Sequence, residues 1–241
     1  MTQQTDRLGY DTKSTEYFQV ARAEMLRFVP ANCRRVLDVG CAEGAFGESL
    51  KKTLGIEVWG VEPTKSAAAK AMPKLDRVIE GDFGPEVDLP VGTFDCIFFN
   101  DVLEHMLAPE KALRHARSLL APGGVVVASI PNIRYFPVVY QLMIHARWEY
   151  VDSGILDRTH LRFFTRSSIV NMFEREGFVI DTIAGINVYS GPSNARRLLW
   201  WAFRLANILA LRRFDDMRFL RFAVVAKPMI GLVEGDSATN R

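Results

Sequence analysis

The chain is short of several things, and each shortage removes a class of explanation. Three cysteines, Cys33, Cys41 and Cys96, are odd in number and form no C-x-x-C pair, so they read as reduced cytosolic thiols rather than a disulfide framework. No run of about 18 apolar residues occurs, so no segment is expected to span a bilayer. The first 25 residues are polar and mixed in charge, unlike a secretory signal. Charge is nearly balanced, 30 Lys and Arg against 28 Asp and Glu, and a net charge of +2 argues against a nucleic-acid partner. Internal repeats and low-complexity segments are absent. These shortages leave a cytoplasmic protein, at most peripheral to a membrane. What is present is a chain of 241 residues, 49% hydrophobic and 24% charged, enough for one substantial core and one domain over 1–241.

The chain is organised around Arg34-Arg35-Val36-Leu37-Asp38-Val39-Gly40-Cys41-Ala42-Glu43-Gly44-Ala45-Phe46-Gly47. A short apolar run ends in glycines and continues into a helical pattern from Phe46 to Leu54. That is a strand, a glycine-rich turn and a helix, in which backbone amides can approach a ligand closely. The glycines do not spell G-x-G-x-x-G, because Ala42 stands at the second position. Alone, such a turn is also a plain tight connection. The next strand, Ile56 to Val61, ends in Glu62, 22 residues after Gly40, where an acid can accept bonds from both hydroxyls of a ribose. After a third strand, Asp82 and Phe83 place an acid and an aromatic where they can bond an adenine amino group and stack on its ring.

Together Val36 to Gly44, Glu62, Gly81-Asp82-Phe83 and Leu120-Ala121-Pro122-Gly123-Gly124 resemble the class I S-adenosylmethionine-dependent methyltransferases. The resemblance runs over roughly residues 34–187, and departs from the family's usual glycine at Ala42. It implies a Rossmann-like α/β fold: a seven-stranded, mostly parallel sheet of order 3-2-1-4-5-7-6, with helices on both faces and an inserted lid. It implies S-adenosyl-L-methionine, with the backbone at Gly40, Cys41 and Gly44 beside the methionine portion. Asp38 would hold the turn and reach the ligand amine through water, Glu62 the ribose, and Asp82 with Phe83 the adenine. Asn100 would join them at the carboxyl ends of the strands.

The pattern along the chain predicts strands near 34–39, 56–61, 77–80, 94–99 and 123–130, and helices near 45–54, 64–71 and 109–120. Pro122-Gly123-Gly124 reads as the turn into the fifth strand. Before this cofactor-binding core (34–130), Tyr17, Val20, Ala21, Met25 and Phe28 predict a covering helix within 14–30, from which Tyr17 or Arg22 can touch the ligand. Residues 131–164 are long for a connection and read as a lid. Phe136, Val139, Tyr140, Met143 and Trp148 predict a lid helix packed on the sheet. His115 and His145 read as surface or packing residues. Thr165 or Ser167 opens a further helix closed by Gly177. Strands at 178–183 and Arg218 to Ala226 pair antiparallel at the sheet edge. Between them, 194–216 predicts a basic amphipathic helix. From Arg196 to Arg221 seven arginines face two aspartates. It reads either as a membrane or partner contact, or as a cover over the pocket or a dimer contact. The second is preferred, since Trp200 and Trp201 point to different sides of a helix. Residues 231–241 read as a tail.

Chemistry is expected from Asn100-Asp101-Val102-Leu103-Glu104-His105, where D-x-x-E-H puts Asp101, Glu104 and His105 within one turn, a set that suits a divalent metal such as Mg. The stretch is similar to the E-x-x-E-H of metal-dependent O-methyltransferases, including those of ubiquinone precursors and of small-RNA ends. Asp157 to Arg166 looks like the RNA-directed branch's D-H-x-F-x-W-T-R, with His160 as the counterpart histidine. That resemblance implies a metal held by Asp101, Glu104, His105 and His160, binding two neighbouring acceptor hydroxyls. Without metal, Asp101 caps the turn, Glu104 is solvated, and His160 or His105 is the candidate general base. Pro131-Asn132, Trp148-x-Tyr150 and Gly154 to Thr165 resemble a branch associated with bacterial surface-polysaccharide pathways. The expectation is O-methylation of a sugar or glycan hydroxyl, then a phenolic or quinone-like molecule, then RNA. Two rival classes are a nicotinamide-dependent oxidoreductase, which lacks both the fingerprint spacing and a Tyr-x-x-x-Lys pair, and a non-catalytic binding module, against which the clustered acids and histidines argue.

Overall fold

The computed structural model describes residues 22–191, 197–209 and 211–229. Strands β1 (Arg35–Val39), β2 (Glu57–Glu62), β3 (Arg77–Glu80), β4 (Phe94–Asn100), β5 (Leu120–Pro131), β6 (Phe178–Val188) and β7 (Phe219–Pro228) form one sheet of order β3-β2-β1-β4-β5-β7-β6. The first five are parallel, and β7 runs antiparallel between β5 and β6. This is the expected seven-stranded order.

The sheet is central because its strands are apolar on both sides. In β4, Ile97 and Phe99 enter one core cluster and Cys96 and Phe98 enter another. Successive side chains of a strand point to opposite faces, so a continuous apolar run needs cover on both. On the first face lie Leu113 and Ala116 of α3 (Pro109–Leu119) and Ile169 and Phe173 of α5 (Arg166–Arg175). On the other lie Phe46 and Leu50 of α1 (Ala45–Leu54). α2 (Lys65–Ala71) follows β2 and buries Ala67, Ala68 and Ala71. Thr165 caps α5 in a reciprocal pair with Ser168.

Four local expectations change. Pro122-Gly123-Gly124 lies within β5, where register jumps from Leu120 opposite Phe94 to Val125 opposite Cys96, so the turn is an outward excursion of a strand that starts earlier. The covering helix is a short 3₁₀ turn, Ala23–Phe28, begun by Arg22 at φ 47, a left-handed residue that an α-helix does not continue through; 14–21 lie outside the described residues. The lid helix α4 (Phe136–His145) stops before Trp148, at Ala146 (φ 51), and has no fully buried residue. Instead of packing on the sheet, its Phe136 meets Trp200 (4.8 Å) and Phe203 (4.7 Å) of α6 (Arg197–Leu209). His115 is a packing residue, its ring 5.0 Å from that of Phe83. The polar start at 1–13 and the tail at 231–241 lie outside the described residues. All three cysteines are free and buried, and no helix among the described residues is long and apolar enough to cross a membrane.

Candidate active site

The parallel register aligns the carboxyl ends of the strands, with Val39 opposite Val61 and Phe99, Glu62 opposite Glu80, and Asn100 opposite Ser129. Gly40, Glu62, Asp82 and Asn100 therefore share one edge, where a ligand of such a sheet is bound.

At the β1 end the turn uses three left-handed residues, Gly40 (φ 68), Ala42 (φ 50) and Gly44 (φ 78). Gly40 and Cys41 donate their N–H groups to the carbonyl of Val61, at 2.8 and 3.2 Å, pinning the turn to β2. Glu62 accepts the N–H of Ala42 on Oε2 and of Thr64 on Oε1, both at 2.9 Å. The expected ribose acceptor is thus oriented by backbone, and each oxygen keeps a lone pair for a hydroxyl. Burial pushes Glu62 above the usual carboxylate range despite these bonds. Asp38 is also buried, and burial with the neighbouring Glu62 charge pushes it up to about 8. Cys41 fills the space over Gly60, where a Cβ would lie 2.5 Å from its sulfur, so it offers a ligand its backbone rather than its thiol. No side chain caps α1 at Gly44, which leaves first-turn amides for a ligand. Asn100 carries an amide whose nitrogen and oxygen are both buried without a hydrogen-bond partner among the described residues. On the rim, Asp82 is exposed, and Phe83 rests its ring on Phe99 (5.6 Å).

At the β4 end Asp101 turns the chain in a left-handed conformation (φ 55). Its carboxylate is taken up by Arg22 from the 3₁₀ turn, by Nε of Arg221 from β7 (2.8 Å) and by the Ser129 hydroxyl (2.8 Å). Asp101 therefore faces two guanidinium groups, while the metal-compatible set is Glu104, His105 and His160, whose donor atoms lie within 4.8 Å of one another. Glu104, expected to be solvated in the absence of metal, is fully buried, and neither carboxylate oxygen has a hydrogen-bond partner among the described residues. Burial, then the Asp101 charge, holds its carboxyl well above the usual range.

His160 comes back 55 residues later because the lid's return is stitched to this turn. Leu161 and Arg162 donate their N–H groups to the Glu104 carbonyl, at 2.8 and 3.0 Å. Buried Asp157 accepts the N–H (2.9 Å) and hydroxyl (2.7 Å) of Thr159 and shapes the approach. Nδ1 of His105 lies 3.1 Å from the Thr159 carbonyl, and Nδ1 of His160 lies 2.8 Å from that of Ile155. A carbonyl only accepts, so each Nδ1 carries the proton and each Nε2 presents a lone pair. The rings stand edge to face, 4.6 Å apart, with Nε2 of His160 3.9 Å from Oε1 of Glu104. Burial, then His160, draws the His105 pKa down to about 4.

A model of the methyltransferase domain family matches residues 14–183. The chain belongs to that family. It is an S-adenosylmethionine-dependent methyltransferase, and the glycine turn, the uncapped α1 and the orphan amide of Asn100 fit that cofactor. The methyltransferase is 27% identical to the ubiquinone biosynthesis O-methyltransferase of Aeromonas salmonicida over 173 residues, 68% of this chain and 71% of that protein. It is 32% identical to the enzyme of the same name from Nitrobacter winogradskyi over 162 residues, 65% and 60% of the two chains. The crystal structure of a SAM-dependent methyltransferase from Archaeoglobus fulgidus superposes with a TM-score of 0.63 at 24% identity, covering 85% of this chain and 91% of that one, a likeness of fold.

Sequence reading missed the partners of Asp101. From sequence Arg22 reads as a ligand contact and Arg221 as part of a basic run, and nothing local marks Ser129 as a partner. Arg221 lies 120 residues from Asp101, and no local pattern joins them. The Asp157-x-Thr159 pair, by contrast, is a turn pattern visible in sequence.

Proposed function

We propose that this methyltransferase acts on the oxygen of a small phenolic molecule bearing neighbouring hydroxyls, beside a divalent cation held by Glu104, His105 and His160. One observation carries the reading: the Glu104 carboxylate is buried with no hydrogen-bond partner among the described residues, next to two histidines that present Nε2. An unpartnered buried carboxylate is unfavourable by several kcal/mol, on the order of what a paired charge recovers, and so invites either a proton or a cation. The Nδ1–H bonds to backbone carbonyls are the usual support of metal-ligating histidines. Asp101, bound by Arg22 and Arg221, braces the turn rather than joining the ligand set.

S-adenosylmethionine, when bound, supplies a methyl on a sulfonium that needs no further activation. A divalent cation would supply the charge that lowers the pKa of an acceptor hydroxyl. The chain's own part is alignment, exclusion of water and a place for the proton. With the cation bound, His105 and His160 each give it their Nε2 lone pair and the acceptor's proton leaves to water; without it, His160 Nε2 can take that proton, whereas His105, with a pKa near 4, is a weak base at neutral pH. The oxygen preference is supported by the relatives' names, which concern ubiquinone biosynthesis. A sugar hydroxyl, placed first on sequence, finds no support among them, and a phenol takes its place.

The test is labelled methyl transfer to a catechol, a monophenol and a monosaccharide diol, with Mg and with EDTA, by the parent and by His160→Gln. Label is expected in the catechol, falling roughly 10²- to 10⁴-fold with EDTA or the substitution. Label in the sugar alone would reject the acceptor class; label in the catechol that ignores EDTA would remove the cation.

A further inference from the structure

α6 carries two apolar faces: one is buried against other described residues, and the other is largely exposed. Trp200 is buried against Phe136 and against Tyr189 (5.0 Å). Asn207, on the same side, donates to Asp215 at 2.7 Å and accepts the N–H of Phe214 at 2.8 Å. Leu205, Ile208 and Leu209 lie on the opposite side, within an arc of about 100° at the helical repeat. Leu205, Ile208 and Leu209 are 60%, 61% and 77% exposed. The stripe does not stop with the helix: Leu211 is 87% exposed. α4, joined to α6 through Phe136, ends in exposed Leu142, Met143 and Ile144.

Charge identifies the occupant. Arg212 and Arg213 follow the stripe, both exposed, and neither forms an ion pair with a described residue. The two acids of the segment are committed elsewhere, Asp215 to Asn207 and Asp216 to Arg134 (2.8 Å). An apolar stripe next to arginines that have no acidic partner among the described residues fits an anionic bilayer surface, where aliphatic side chains enter the acyl boundary and guanidinium groups meet phosphates. A second copy fits poorly, since a two-fold contact through this face would bring the arginines of both copies together.

We propose that the exposed face of α6, with the end of α4, docks this methyltransferase on anionic lipid bilayers. The proposal goes beyond the acceptor and cation reading and does not depend on it. It places at the lipid surface the lid segment that returns His160 to the active site.

The experiment is flotation of the full chain with phosphatidylcholine vesicles and with vesicles that also contain phosphatidylglycerol, at low and high salt, with the state of self-association measured alongside. Binding is expected only with phosphatidylglycerol. Arg212→Gln with Arg213→Gln should weaken it roughly thirtyfold at low salt, and Leu205→Gln with Ile208→Gln by more than about tenfold. Unchanged S-adenosylmethionine affinity in both variants shows that they fold. Absence of vesicle binding, equal binding to neutral vesicles, or indifference to both pairs of substitutions each overturns the proposal. So does a dimer that dissociates in the Leu205 and Ile208 variant, which would make the face a contact between copies.

Discussion

Glu62 and Glu104 are both buried glutamates at the carboxyl edge of one sheet, yet the Glu62 carboxylate accepts two backbone N–H bonds and that of Glu104 accepts none from the described residues. The difference separates two halves of the cleft. On the cofactor side the turn, the second strand and α2 are close in sequence, and the acid completes their backbone hydrogen bonding before any ligand arrives. On the acceptor side the acid is held by packing and by the chain's return at Leu161 and Arg162, while its side chain is left for something else. In the proposed reading, the first half is a finished scaffold and the second a site whose electrostatics a ligand completes.

The largest effect expected from breaking this contrast is at Glu104. Glu104→Gln should lower methyl transfer by roughly 10²- to 10⁴-fold. Titration calorimetry should still find S-adenosylmethionine bound within about threefold of the parent, a difference below 1 kcal/mol. Undiminished turnover would mean that the two glutamates are not functionally different.

Gly40→Ala probes whether the halves are mechanically joined. Its Cβ would meet Val102 Cγ2 at 2.7 Å, in a residue already at φ 68. Left-handed strain alone costs about 1–2 kcal/mol, and Val102 adjoins the Asp101 turn. Thermal unfolding should show that loss, and acceptor KM should change together with cofactor affinity. A change in cofactor affinity alone would show that the halves are uncoupled.

Stability against pH should separate them by sign. Asp38 titrates near 8 in the folded chain, so the native state keeps a proton that the unfolded chain has lost, and stability falls as pH rises from about 4. Asp38→Asn should match the parent near the low end of that window and have a higher urea midpoint above neutrality. His105 runs the other way. Its folded pKa near 4 makes stability fall as pH drops below the ordinary 6.5, and His105→Asn should lose that fall. Urea midpoints across pH read both.

Ala42→Gly is the smallest change. It removes the strain of φ 50 but frees the unfolded chain, for a net gain of at most about 1 kcal/mol. Acceptor kinetics should not move.

How much was legible follows the same division. The cofactor turn, Glu62 and the succession of strands could be read because strand alternation and glycine spacing are local signals, and the sheet order followed from the family resemblance those residues carry. Glu104, His105 and His160 were readable as residue types, but the exclusion of Asp101 was not, because Arg221 reaches it across the sheet from the last strand. The lid helix misled because an apolar helical spacing says that a face is covered, not by what.

The sequence by itself determined the alternation of apolar positions that makes the sheet and its two cores, the glycines that let the first turn go left-handed, and the order in which acids and histidines follow the strands. These are properties of near neighbours along the chain, set by backbone sterics and by burial. Only the tertiary structure decided which buried acids find partners, which nitrogen of each histidine is left with its lone pair, and that α6 turns Trp200 inward and Leu205 outward. Each of these depends on groups brought together from far apart in the chain, where hydrogen-bond geometry and access to water, rather than local propensity, choose the outcome.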